Sequence, residues 1–133
     1  MIIILEFTQS KVTITSIKVP KFVENGTLQS VVLDCPFTFD SKIDQNLVVK
    51  WFFNEDPEPI YQWIVDLNSR HVPKQYWDLV NINYTVPNTD RWQRGRALNL
   101  IRPTVELNGR YGCNVLSIMS QDSAEANMIV YGK

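Results

Sequence analysis

Ser30-Val31-Val32-Leu33-Asp34-Cys35-Pro36-Phe37 is the stretch on which the fold turns. With the period of a strand, Val31, Leu33, Cys35 and Phe37 face a core, and Val32, Asp34 and Pro36 face out. Two further stretches belong with it. Leu47-Val48-Val49-Lys50-Trp51-Phe52-Phe53 carries an indole 16 positions after Cys35, and Gly109-Arg110-Tyr111-Gly112-Cys113-Asn114-Val115-Leu116 carries the second cysteine 78 positions after the first. Two half-cystines and a tryptophan on three separated strands place a disulfide between two sheets, with the indole packed on it. Tyr111, two residues before Cys113, is placed to tie the preceding turn to its strand through the hydroxyl. The chain therefore reads as all-β, with Trp51 and Tyr111 in the core and Cys35 bonded to Cys113.

That pattern is an immunoglobulin-like β-sandwich, two antiparallel sheets with Greek-key connections. The remaining runs extend it to the variable type. Residues 11–19 suit an edge strand that Pro20 interrupts, and residues 60–64 form the extra strand that distinguishes the variable type from the constant one. Residues 77–86, 96–101 and 124–131 read as the remaining strands, with a loop over 117–123. Residues 65–76 show no clear period. One V-type domain over 12–133 is expected, after an N-terminal extension or signal remnant at 1–11 whose apolar run stops at Glu6.

Composition narrows the function. A hydrophobic content of 44% supports a core, and 20% charge argues against disorder. Thirteen basic and 14 acidic residues leave a net charge of −1 with no basic run, so neither nucleic acid nor an anionic membrane is expected as a partner. No apolar run approaches the roughly 20 residues of a spanning helix, so direct membrane insertion by this segment is not expected. A disulfide closing so long a span stabilises by about 4.5 kcal/mol on the chain-entropy account and persists in an oxidising compartment. Asn25-Gly26-Thr27 and Asn83-Tyr84-Thr85 fit the glycosylation pattern, and together these features predict an extracellular glycoprotein.

Catalytic chemistry has no foothold. The one histidine, His71, lies near no nucleophile motif, and both cysteines are committed, leaving no zinc set. Glu55-Asp56-Pro57-Glu58 does not have the spacing of a calcium loop. Neither enzyme activity nor a cofactor or metal is expected. What remains is a surface. Val48, Lys50 and Phe52 point away from the core on one strand, and Gly112, Asn114 and Leu116 do so on another. On residues 60–64 either Tyr61 and Trp63 or Ile60 and Ile64 face outward; Tyr61 and Trp63 are taken as candidates. Asn127, Ile129 and Tyr131 add the last strand, and Ile118 and Met119 sit at a loop tip. Such a concentration of apolar and aromatic side chains marks a protein-binding face. The alternative is that residues 65–76, or a neighbouring domain, cover Phe52 and Tyr61.

With these residues laid out, the chain resembles the immunoglobulin superfamily V-set over 12–131. Within it, Val19-Pro20, Gly26, Val49-Lys50-Trp51-Phe52, Ile60-Tyr61-Gln62-Trp63, Gly109-Arg110-Tyr111-Gly112-Cys113 and Met128-Ile129-Val130 are similar to insect proteins of the Beaten path kind. The resemblance implies a neuronal recognition or adhesion molecule that binds a Sidestep-type immunoglobulin receptor through this domain. The expected partner is thus another immunoglobulin-type cell-surface protein, with a homodimer through the same face as a further option. Two departures stand out. Leu107 occupies the place of the V-set Asp that pairs with an Arg, and Ser123-Ala124-Glu125-Ala126 replaces the Gly-x-Gly bulge of antigen receptors. A structural module of a longer ectodomain and a secreted immune-recognition factor are the competing readings.

Overall fold

The computed structural model describes residues 11–132; of the expected extension at 1–11, residues 1–10 lie outside them. Ten strands are present among the described residues: β1 (Thr13–Ile14), β2 (Phe22–Glu24), β3 (Ser30–Leu33), β4 (Phe37–Thr38), β5 (Val48–Phe53), β6 (Tyr61–Ile64), β7 (Ser69–His71), β8 (Leu98–Ile101), β9 (Gly109–Leu116) and β10 (Gln121–Tyr131). The large sheet has the order β2-β10-β9-β5-β6-β7, and the opposite layer consists of the pairs β1-β4 and β3-β8. Two strands, β6 and β7, lie beyond β5, so the extra strand expected over residues 60–64 is present and a further one follows it. All pairings are antiparallel except β2 with β10, which run parallel.

The chain reaches that parallel place by changing sheets. β1 pairs with β4, and Lys18 bridges Asp34; past Pro20 the chain crosses and β2 joins β10. Proline suits the crossing because it has no N–H to give to a ladder.

Alternation sets the core. Val31, Leu33, Cys35 and Phe37 face Val49, Trp51, Tyr111, Cys113 and Val115, all buried. Cys35 and Cys113 are bonded across the layers with a Cα–Cα distance of 6.6 Å. Trp51 stands directly opposite Cys113, and its indole N–H donates to the Arg96 carbonyl at 2.9 Å. The Tyr111 hydroxyl donates to the Leu107 carbonyl at 2.7 Å, tying the 3-10 turn at Val105–Leu107 to β9. Leu107, in place of the expected Asp, is itself buried. Arg96 supplies an ion pair elsewhere, with Nε and Nη2 donating to both Asp34 carboxylate oxygens at 2.8 and 3.1 Å.

Three sequence expectations change. Residues 77–86 do not form a strand: Val80 makes one bridge to Leu100, and the rest turns through Asn81 and Asn83. Asn side chains that bond nearby backbone compete with a ladder, which is the physical reason. Residues 65–76 continue the large sheet as β7 and then form a 3-10 turn at Lys74–Tyr76; they do not line the concavity at Phe52, whereas Arg70 lies beside the buried Tyr61. The last strand begins at Gln121 rather than 124, so the preceding connection tightens to residues 117–120.

Candidate recognition surface

The outer face of the large sheet is built from rows of directly opposed residues. One row runs Ser69, Ile64, Val48, Leu116, Gln121; the next runs His71, Gln62, Lys50, Asn114, Ser123; a third runs Phe52, Gly112, Glu125. Directly opposed residues share a face, so the register alone assigns these side chains outward. Val48, Lys50, Phe52, Asn114 and Leu116 are half-buried by their neighbours, as wide side chains on a central sheet are.

The same register overturns two candidates. Tyr61 is opposite Trp51 and Trp63 opposite Val49, so both point inward; Tyr61 is 1% and Trp63 0% exposed. Neither can touch a partner. Tyr61 donates its hydroxyl to the Gly95 carbonyl at 2.7 Å, and the Trp63 indole N–H donates to Asn68 Oδ1 at 3.0 Å. Burial pushes the Tyr61 phenol up to about 12 against the opposing charge of Arg70. The outward residues of β6 are Gln62 and Ile64.

At one end of the face Ile118 and Met119 are exposed at the tip of the 117–120 turn, continuous with the apolar row of Leu116, Val48 and Ile64. Asp44 holds that turn in place. It is buried, accepts from the Ser117 and Ser120 hydroxyls at 3.0 and 2.9 Å, and accepts from the Asp40 N–H. Burial works against its charge, but the Asp40 N–H and the Ser120 and Ser117 hydroxyls outweigh it and leave its carboxyl below the ordinary 3.8.

The other end is polar. Phe52, Asn54, Glu55, Asp56, Arg110, Gly112, Asn114, Ser123 and Glu125 surround an open concavity of about 370 Å³, to which residues 65–76 contribute nothing. Arg110 pairs with Glu55 and stands 3.7 Å from Glu125. Nothing in the sequence pattern announced Arg110, Glu125 or the concavity; the glycine inside a strand was the available signal. Along the β2 edge Phe22, Ile129 and Tyr131 are exposed. Both sequon asparagines are exposed away from this concavity, Asn25 in the turn after β2 and Asn83 in the turn starting at Asn81. Asn25 also accepts from the Val105 N–H.

Among the described residues no cluster of side chains could hold a metal, and no helix is long and apolar enough to cross a membrane. No protein-family model matches the chain, and no curated protein matches it. Solved structures do. The chain is similar to a structure described as tandem Ig repeats of Dlar, at 13% identity and a TM-score of 0.58, over 94% of this chain and 48% of that one. It is also similar to a chimeric titin Z1Z2 functionalized with an exogenous KLER peptide from decorin, at 15% identity and a TM-score of 0.59, over 92% of this chain and 95% of that one. The chain thus spans about half the length of the Dlar structure. At these identities the likeness shows the immunoglobulin-like fold alone.

Proposed function

We propose that this immunoglobulin-like domain is an extracellular protein-recognition module that binds another cell-surface protein through the outer face of the β10-β9-β5-β6 sheet. The observation that carries the reading is the continuity of outward apolar side chains, Ile64, Val48 and Leu116 with Ile118 and Met119, with the outward ring of Phe52 across the polar row of Lys50 and Asn114. A fold places side chains there without needing them for its core, and clustered apolar and aromatic groups on such a face are the usual anchors of a protein interface. The disulfide and two exposed sequons support an oxidising, extracellular setting, with glycans at Asn25 and Asn83 leaving the face open. The resemblance to Beaten path-type proteins gives the partner class, an immunoglobulin-type receptor. Lys50 and Asn114, in the centre of the face, supply the polar contacts that fix register.

The test is a screen of the tagged domain against the extracellular proteins of its own organism, followed by titration of variants. Phe52→Ala is expected to stay folded and to weaken binding by about 2 kcal/mol or more. Phe53→Ala removes a half-buried ring that packs 4.9 Å from Tyr111 and is expected to lose stability by about 1–3 kcal/mol instead. Undiminished binding by folded Phe52→Ala would remove the face from consideration.

A further inference from the structure

Gly112 is the position on this face that neither backbone nor core explains. It lies in the middle of β9, with Phe52 of β5 on one side and Glu125 of β10 on the other. Glycine inside a strand is unfavourable by roughly 0.5–1 kcal/mol relative to Ala and often marks a place where another molecule approaches closely. Gly95 and Gly109 answer a steric need. A Cβ on Gly95 would lie 2.6 Å from the Trp63 indole, and one on Gly109 would overlap the Asn54 amide. A Cβ on Gly112 would meet only Glu125 Cγ at 3.7 Å and the Ala124 carbonyl at 3.9 Å, ordinary contacts. Alanine would fit, and glycine instead leaves open the floor of the concavity.

The surroundings of that floor are of one kind. Phe52 forms one wall and the stem of Glu125 the other, while the Asn54, Glu55, Asp56 turn and Arg110 close one end. The lining holds three carboxylates, Glu55, Asp56 and Glu125, against one guanidinium, Arg110, which is already engaged with Glu55 and Glu125. Asp56 accepts from the Glu58 N–H at 3.0 Å and from the Tyr76 hydroxyl at 2.8 Å, and these two bonds hold its carboxyl below the ordinary range. The excess of negative charge sits beside an aromatic ring, the combination that favours a cation with a flat or extended stem.

We propose that the concavity over Gly112 receives a basic side chain, an arginine, projecting from the partner protein. Its stem lies on Gly112 against Phe52, and its guanidinium lies among Glu55, Asp56 and Glu125. The proposal rests on the outer face being the recognition surface and adds the chemistry of the group that enters it.

The probe is the blocked peptide acetyl-Gly-Arg-Gly-amide, with its citrulline counterpart as an uncharged isostere, titrated into the isotope-labelled domain and followed by amide chemical shifts. Saturable shifts are expected at Gly112, Phe52 and Glu125, with the citrulline peptide at least about tenfold weaker. Gly112→Leu fills the floor and is expected to abolish the shifts; should it fail to fold, Gly112→Ala, which the geometry accommodates, is expected to weaken them. Absent shifts, equal shifts from both peptides, or shifts that do not map to Gly112 would each overturn the proposal. A dimer in sedimentation that Lys50→Glu disrupts would also overturn it, by making a second copy the occupant. If the peptide fails while Phe52→Ala still loses the screened partner, only this inference falls and the face stands.

Discussion

Tyr61 and Phe52 show how far a single residue can be read from the sequence. Both are aromatics on neighbouring strands, and both invite assignment to a surface. Phe52 was legible, because Trp51 beside it has to enter the core and Phe52 then has to leave it. Tyr61 was not, because residues 54–59 contain two prolines and cut the period-two pattern between β5 and β6. Only the pairing of Tyr61 with Trp51 fixes which face is inner. The consequence is measurable. Tyr61→Phe leaves the Gly95 carbonyl without its hydroxyl donor, with an expected loss of about 1–2 kcal/mol in urea unfolding. Tyr61→Ala also opens a cavity, with an expected loss of about 3–5 kcal/mol. A Tyr61→Ala variant as stable as the parent would contradict the inward placement.

At the scale of elements, β3, β5 and β9 were legible because Trp51 and Cys113 anchor the alternation of β5 and β9, and Cys35 continues that of β3 just past its end. The 86–96 segment was not, because its structure depends on what it meets. Val86 donates to the Arg94 carbonyl, Gln93 reaches the Phe37 carbonyl, and Arg91 lies 4.4 Å over Trp92. The segment then passes Gly95 under the Trp63 indole and delivers Arg96 to Asp34. No periodicity records contacts such as those of Gln93 with Phe37 and Arg96 with Asp34. The segment therefore rests on Gly95, whose replacement by alanine forces the indole or the backbone to shift. Gly95→Ala is expected to lose about 1–3 kcal/mol and to change the near-ultraviolet circular dichroism of the tryptophans. An unaltered spectrum with unaltered stability would show that the packing of this segment on β6 is loose.

The whole molecule should be stable over a broad pH window whose two edges have separate causes. On the acid side, Asp44 has a folded pKa below its ordinary 3.8, so its contribution is present above that value and lost as pH falls through the folded pKa. On the alkaline side, burial raises the Tyr61 and Tyr111 phenols above their ordinary 10.0, so the stability they contribute is complete below pH 10.0 and is lost as pH rises toward their folded values. Urea midpoints are expected to be flat between these edges. Asp44→Asn should blunt the acid fall, and the tyrosinate absorbance lost in Tyr61→Phe should appear together with unfolding on the alkaline side. An acid limb identical in Asp44→Asn would assign the fall to other carboxylates.

The crossing at Pro20 has a mechanical consequence. Because β2 and β10 lie side by side and run parallel, tension between the chain before Phe22 and the chain after Tyr131 pulls the two strands lengthwise past each other. Their bonds, such as Asn25 N–H to the Tyr131 carbonyl and Ile129 N–H to the Lys21 carbonyl, then bear the load together instead of opening one at a time. An antiparallel pair pulled from one end would unzip. Traction applied along these two strands is thus met in shear, with the disulfide locking the strands behind them once that clamp yields.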